Sequence, residues 1–172
     1  MDRIKRLRRV VLLCCHFARN FAYYKSGWEG KRLKVPNEFW VTVNGNFVDI
    51  CVLEWCKLFG DDSDKHHWKQ IVVDKDRFKS EMLDKLKVSQ YDFEECWKSF
   101  RKYRDKFLAH LDSLEKMDIP YLHIAWGAVR FYHSHIVQLC SSEDLKGLPI
   151  DVSAYYDNCL ADAGRIYEKL KT

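Results

Sequence analysis

Arg104 and His110 stand six positions apart in the string Arg-Asp-Lys-Phe-Leu-Ala-His. A guanidinium is always charged, and its planar fork matches the oxygens of a phosphate. An imidazole titrates near neutrality and can take or give a proton. Brought to one opening, the two groups would suit an anionic centre whose reaction needs held charge and moved protons.

The string lies in a segment with helical periodicity, running from Ser89 to about Met117. On a helical wheel centred on Phe107, Phe100 and Leu114 fall within roughly 20° of it. Trp97 and Leu111 line one flank, and Cys96, Tyr103 and Met117 the other. Lys98, Arg101, Lys102, Asp105, Ala109 and Asp112 point away. Arg104 and His110 fall about 60° to either side of Phe107, inside the apolar arc, with Cα atoms about 9 Å apart along the axis. Their heads can therefore converge on one phosphate-sized site at the edge of the core. Two copies of the helix about a two-fold axis would bring four such groups together. A plainer reading of the same positions pairs Arg104 with an acid on a neighbouring helix, Glu54 or Asp49, and makes His110 a satisfied core histidine. On the polar side Lys98, Lys102 and Lys106 form an i,i+4 ladder whose mutual repulsion phosphate or water can offset.

The string Tyr-Arg-Asp-Lys-Phe-Leu-Ala-His-Leu-Asp, Tyr103 to Asp112, resembles the R-x(4–6)-H motif of the HEPN superfamily, particularly its abortive-infection type. There the motif tends to read R-D-K-x-x-A-H-x-D and is followed by a proline-started helix, here Ile119-Pro120. The resemblance covers residues 90–140. It implies an all-α, HEPN-like bundle of about five to six helices, a homodimer, and metal-independent ribonuclease activity with no cofactor. Arg104 and His110 would be the catalytic pair near a dimer cleft. Asp105, Lys98, Lys102, Lys106 and Arg101 are the candidate RNA-binding residues. RNA cleavage of this kind deprotonates the 2′-hydroxyl, protonates the 5′-oxygen and leaves a 2′,3′-cyclic phosphate. A dimer supplies one histidine for each proton transfer. The expected setting is a prokaryotic defence or toxin–antitoxin system, with RNA and an antitoxin protein as partners. The alternative is a non-catalytic scaffold that binds RNA or protein. Some relatives of this type carry a tyrosine two residues after the histidine, which a partner enzyme modifies; Asp112 holds that position here.

Other segments must form the bundle that positions this helix. Helical periodicity predicts a first helix from Arg3 to about Lys25, ending near Gly27, and a loop through Lys34. Pro36 suits the first turn of a second helix to Phe59, with Gly60 as its stop. Its expected buried face is Val41, Phe47, Val48, Val52, Trp55 and Leu58. Residues 61–64 are a polar link, and His66 to Val73 form a short helix or an irregular docking segment anchored by Trp68. Asp74 caps a helix to Leu86. Ser89 with Asp92 resembles a capping box for the motif helix. Pro120 begins a helix to about Cys140, and the last runs from Ser153 to Leu170. One domain spans residues 1–172.

Composition sets outer limits. The 172 residues are 47% apolar and 31% charged, a globular composition rather than a disordered one. Net charge is +4, but residues 1–34 hold ten Lys or Arg against Asp2 and Glu29, so the first helix is a second candidate for steering a polyanion. The seven cysteines include no C-x-x-C pair and read as reduced, mostly buried small hydrophobes of a cytoplasmic protein. The N-terminal apolar run is soon broken by His16 and Arg19, and no segment reaches the length of a membrane span. His133 and His135, two apart on a helix, diverge and suit no single metal ion. His66-His67 sits in a loop with acids nearby, where metal binding would be adventitious. Cys14 or Cys15 with His16 lacks the geometry of a thiol hydrolase. Tyr155-Tyr156 can stack bases but at helical spacing reads as core or subunit contact.

Overall fold

The computed structural model describes residues 2–108 and 118–170, with only the backbone of Phe107 and Leu108. The fold is all-α, with one small hairpin among the described residues. Its helices are α1 (Arg3–Ser26), α2 (Glu38–Trp55), the single turn α3 (Trp68–Ile71), α4 (Lys75–Leu86), α5 (Gln90–Tyr103), α6 (Leu122–Gln138) and α7 (Val152–Lys169). No helix among the described residues is long and apolar enough to cross a membrane.

Local chemistry fixes most of the helix starts. Asp2, Asn37, Asp74 and Asp151 each accept a first-turn backbone N–H, of Ile4, Trp40, Arg77 and Ser153 respectively, relieving donors that have no intrahelical partner. The expected box at α5 is present: Ser89 N–H donates to Asp92 at 3.0 Å, and Asp92 N–H to Ser89 Oγ at 3.1 Å. Pro36 stands ahead of the Asn37 cap instead of in the first turn of α2. Pro120 likewise precedes α6, which begins at Leu122 after a Tyr121 cap. In both places the residues after proline settle into the cap before helical bonding begins. The stretch expected as a loop holds an antiparallel hairpin, β1 (Trp28–Glu29) against β2 (Arg32–Leu33). Gly30, at φ 60°, supplies the positive φ its tight turn needs.

α1 is the central helix. It packs against α2, α6 and α7 and is buried on most of its surface from Val10 to Ala22. Two of its N-terminal basic residues take structural bonds: Arg6 donates to the Gln70 carbonyl, and Arg8 to the Asp144 and Lys146 carbonyls. Arg6 and Arg8 thus tie α1 to neighbouring segments, while Arg3, Lys5 and Arg9 of the same turns are exposed. α2 buries Val48, Val52 and Trp55 as expected, but Val41 is exposed and Phe47 half-buried. The face is turned toward Asn44, Cys51 and Glu54 instead.

The second half of α2 sets the position of α5. Trp55 is fully buried, with its ring centroid 5.3 Å from Phe59, 6.3 Å from Phe93 and 4.4 Å from Phe100. Burying an indole removes about 150–250 Å² of mostly apolar surface, worth roughly 4–6 kcal/mol as an upper figure. Its Nε1 has no hydrogen-bond partner among the described residues, a cost of about 1–3 kcal/mol. The aromatic burial therefore wins, and α5 is fixed across the end of α2.

Candidate functional site

Both helices that meet at Trp55 end in a widened turn. α2 passes into a π-helical turn at Cys56–Gly60, closed by Asp61 N–H on the Cys56 carbonyl at 3.1 Å. α5 passes into another at Arg104–Leu108, so Arg104 is the first residue of the changed geometry. Bonding from i to i+5 places more residues in each turn than the α-helix does. The 100° spacing of the helical wheel therefore does not hold across Arg104–Leu108, and Arg101 and Asp105, on the outward side, come together beside Arg104.

Around Arg104 the charges form a short chain. Its Nε donates to Asp105 Oδ1 at 2.7 Å, and Asp105 Oδ2 lies 4.0 Å from Arg101 Nε. The Arg101 guanidinium in turn lies 4.8 Å from the centre of the Trp97 ring, a stacked cation on an indole. Trp97 is held by its own Nε1–H, which donates to the Phe59 carbonyl at 3.0 Å. The sequence of contacts is Phe59, Trp97, Arg101, Asp105, Arg104, from one π turn to the other.

The Arg104 side chain is 22% exposed, at the margin between core and solvent. Hydrogen bonding to Asp105 raises its pKa further, so it is a permanent cation. The outer nitrogens of its fork take no part in the Asp105 bond. Neither acid proposed for it from sequence takes it: Asp49 accepts from the Tyr103 hydroxyl at 2.8 Å, and Glu54 is paired with Lys57 at 3.0 Å and lies 3.6 Å from His16. Beneath it burial pushes the Cys56 thiol up to about 12, against the opposing pull of Arg104.

His110 and Asp112 lie outside the described residues, as do Ala109, Leu111, Leu114 and Met117. Of the remaining candidate residues, Arg101 and Asp105 are brought together with Arg104. Lys98, Lys102 and Lys106 are exposed on the outer side of the same helix, Lys98 bridging to Glu95 at 2.8 Å.

The other candidates resolve into structural roles. His66 and His67 are buried rather than open to metal. Nδ1 of His66 faces Asp64 at 3.0 Å, and Nδ1 of His67 accepts the Lys69 backbone N–H at 3.2 Å. No group of three or more potential metal ligands occurs among the described residues. His133 is buried with Nε2 on the Pro149 carbonyl at 3.1 Å, while His135 meets the edge of Phe78. All seven cysteines are free and all but Cys140 are buried; burial pushes the Cys15 thiol up to about 12, the opposite of an activated nucleophile. Tyr156 packs on Phe21 and Trp126, and Trp68 stacks on Phe78 as the anchor of its segment.

One feature escaped the sequence reading. A cleft of about 610 Å³ opens beside the charge chain, between residues 59–69 and the outer face of α5. Trp97, Arg101, Asp61, Glu94 and His67 are among its lining. The signal for its wall was present as Trp97 and Arg101 at i,i+4, the spacing at which helix side chains stack. The opposite wall comes from a distant loop and has no local signature. In comparison with known proteins, the chain matches no family model, no curated protein sequence and no solved structure.

Proposed function

We propose that this protein is a HEPN-type, metal-independent endoribonuclease, acting as a homodimer in a prokaryotic defence or toxin–antitoxin setting. Arg104 holds the scissile phosphate and His110 moves protons between the 2′-hydroxyl, the phosphate and the 5′-oxygen. The observation that carries this reading is the position of Arg104. It is the first residue of a π-helical turn, partly exposed, with Asp105 fixing its Nε. π turns inside helices recur at functional sites, and an arginine locked at Nε presents its outer fork with little rotamer freedom left to lose. The Arg104–His110 string supports the assignment through its resemblance to the family motif.

The test is incubation of purified protein with RNA in EDTA. Cleavage giving 2′,3′-cyclic phosphate ends, and lost in both Arg104→Ala and His110→Ala, is the expected result. Cleavage unchanged by either substitution, or dependent on added metal, rejects it. A second reading, a non-catalytic RNA- or protein-binding scaffold, draws on the same Arg104–Asp105 pair, since an arginine neutralised by its neighbour can serve structure alone. In that case the double substitution lowers the melting temperature and there is no cleavage to lose.

A further inference from the structure

The cleft beside Arg101 combines features that a phosphate site would not. Three exposed carboxylates, Asp61, Asp62 and Glu94, stand on its lining, Asp62 already paired with Lys69 at 2.6 Å, and hydrogen bonds from Ser63 hold Asp61 below the usual carboxylate range. Fixed negative charge repels phosphate but accepts N–H donors. Behind them is His67, whose ring is buried. Its Nδ1 accepts from Lys69 N–H, so the neutral ring carries its proton on Nε2. That nitrogen is buried 3.3 Å from Asp62 Oδ1, and the Phe59 carbonyl also acts on the ring, so His67 backs the wall of the cleft and ties its loop in place without meeting a ligand. Lys79 adds a cation to the same wall. The platform is Trp97 with the Arg101 guanidinium over it, and unpaired RNA bases stack on aromatic rings and on guanidinium planes.

We infer that this cleft is a guanine-binding subsite: the base stacks on the Arg101–Trp97 pair, turns its N1–H and N2–H edge to Asp61 and Glu94, and turns its O6 and N7 edge to the Lys79 ammonium. Guanine is the base that presents two neighbouring N–H donors on one edge and two acceptors on another, so it matches a wall carrying both carboxylates and N–H donors. Adenine offers one exocyclic amino group, and the pyrimidines lack the N7 edge. The volume of about 610 Å³ lies in the usual range for a small-ligand site. The Arg101–Asp105–Arg104 chain connects the base platform to the phosphate-binding arginine, so a nucleotide seated here would have its backbone leave toward Arg104. The inference rests on the ribonuclease reading in taking RNA as the source of the base.

The experiment titrates the full chain with guanosine, adenosine, cytidine and uridine, none of which carries a phosphate. Shifts of the Trp97 indole N–H signal are followed by NMR, the signal being assigned with Trp97→Phe. Guanosine is expected to bind at least tenfold more tightly than the other three. The double substitution Asp61→Asn with Glu94→Gln, at two exposed positions, should weaken it at least tenfold while leaving signals remote from the cleft in place. Equal binding of all four nucleosides, no shift with any of them, or guanosine binding unchanged in the double variant overturns the subsite. Arg101→Met provides an independent variant and should weaken guanosine as well; undiminished binding there also overturns it. Guanosine selectivity in a protein that cleaves no RNA would leave the subsite standing and sink the ribonuclease. Cleavage after every base without nucleoside selectivity would do the reverse.

Discussion

Arg104 Nε and Asp105 Oδ1 lie 2.7 Å apart, between adjacent residues at the mouth of a π-helical turn. Neighbours on a regular α-helix point about 100° apart, so this contact depends on the local change of geometry and on the length of the arginine. Its effect is to fix the guanidinium at its inner nitrogen. Asp105 is thus a positioning residue for Arg104, and under the proposed function for the scissile phosphate. Asp105→Ala is expected to lower kcat/KM for RNA cleavage by about ten- to a hundredfold, the kinetic equivalent of the roughly 1.5–3 kcal/mol carried by a hydrogen bond to a charged group. Asp105→Asn, whose carbonyl oxygen can still accept, should retain more activity. A loss of melting temperature matching the loss of activity in both variants would assign Asp105 to stability instead.

Under the proposed function, the exposed lysines of the same helix would act at longer range. Lys98, Lys102 and Lys106 follow one another at i,i+4 along α5 and its π turn, each open to solvent. Contacts of that kind with phosphates bind without reading bases and appear in the salt dependence of affinity. The triple substitution to Gln is expected to weaken single-stranded RNA binding about equally for all sequences, and to reduce the log–log salt slope by about 2, at roughly 0.7 per phosphate contact. Binding measured from low to moderate salt checks this, and an unchanged slope would remove these lysines from the interface.

How much of this was legible in the sequence depended on the range of the interactions involved. The Asp74 cap, the Ser89–Asp92 box and the Gly27 stop are each set by a few neighbouring residues, and all three appear where the sequence places them. The π turns were not legible, because nothing in Cys56–Gly60 or Arg104–Leu108 marks an i+5 bond. The freed geometry is stabilised from elsewhere, as when Trp97 takes the Phe59 carbonyl across 38 residues. The rotation of the α2 face toward Asn44 has the same origin. Asn44 is buried because the Trp28 indole donates to its Oδ1 at 2.9 Å and its own amide donates to the Tyr24 carbonyl. Asn44 becomes a core hub once the hairpin closes over it, a contact set by residues 16 and 20 positions away.

Acid should weaken the fold through its buried histidines before the lowered carboxylates take up protons. Burial is the main reason that His67 and His133 have pKa values below the ordinary imidazole value. The unfolded chain therefore takes up protons first as pH drops below about 6.5. Stability is complete above that pH and is lost as pH falls through the folded values. The lowered carboxylates Asp61, Asp62 and Asp151 act in the same direction, but only below about pH 4. Urea unfolding between pH 7 and pH 5 should show stability falling by up to about 1.4 kcal/mol per pH unit for each histidine that titrates. His133→Gln, which can still donate to the Pro149 carbonyl, should flatten that slope. A pH-independent midpoint across the window would contradict the assignment.

Gly27 offers a check on the fold that is remote from the site. Its φ of −71° is ordinary for any residue, so a substitution there meets no backbone strain and tests packing alone. A methyl group at Gly27 would run into the Asn44 side-chain amide and stand 2.9 Å from the Tyr167 hydroxyl. Asn44 could move only by giving up its bonds to Trp28 and Tyr24, which join the hairpin to α1 and α2. Removing a glycine gains at most about 1 kcal/mol through the unfolded chain. Overpacking costs about 1–3 kcal/mol, and a buried polar group left unpaired costs about as much again. The cost prevails, so Gly27→Ala should destabilise by about 2–4 kcal/mol and lower the melting temperature by roughly 5–15 °C in a domain of this size. Because Arg104 and the cleft lie at the other end of α2, the variant should cleave RNA normally at a temperature where it is folded. A melting temperature equal to the parent's would show that Asn44 has room to yield, and that the hairpin does not depend on it.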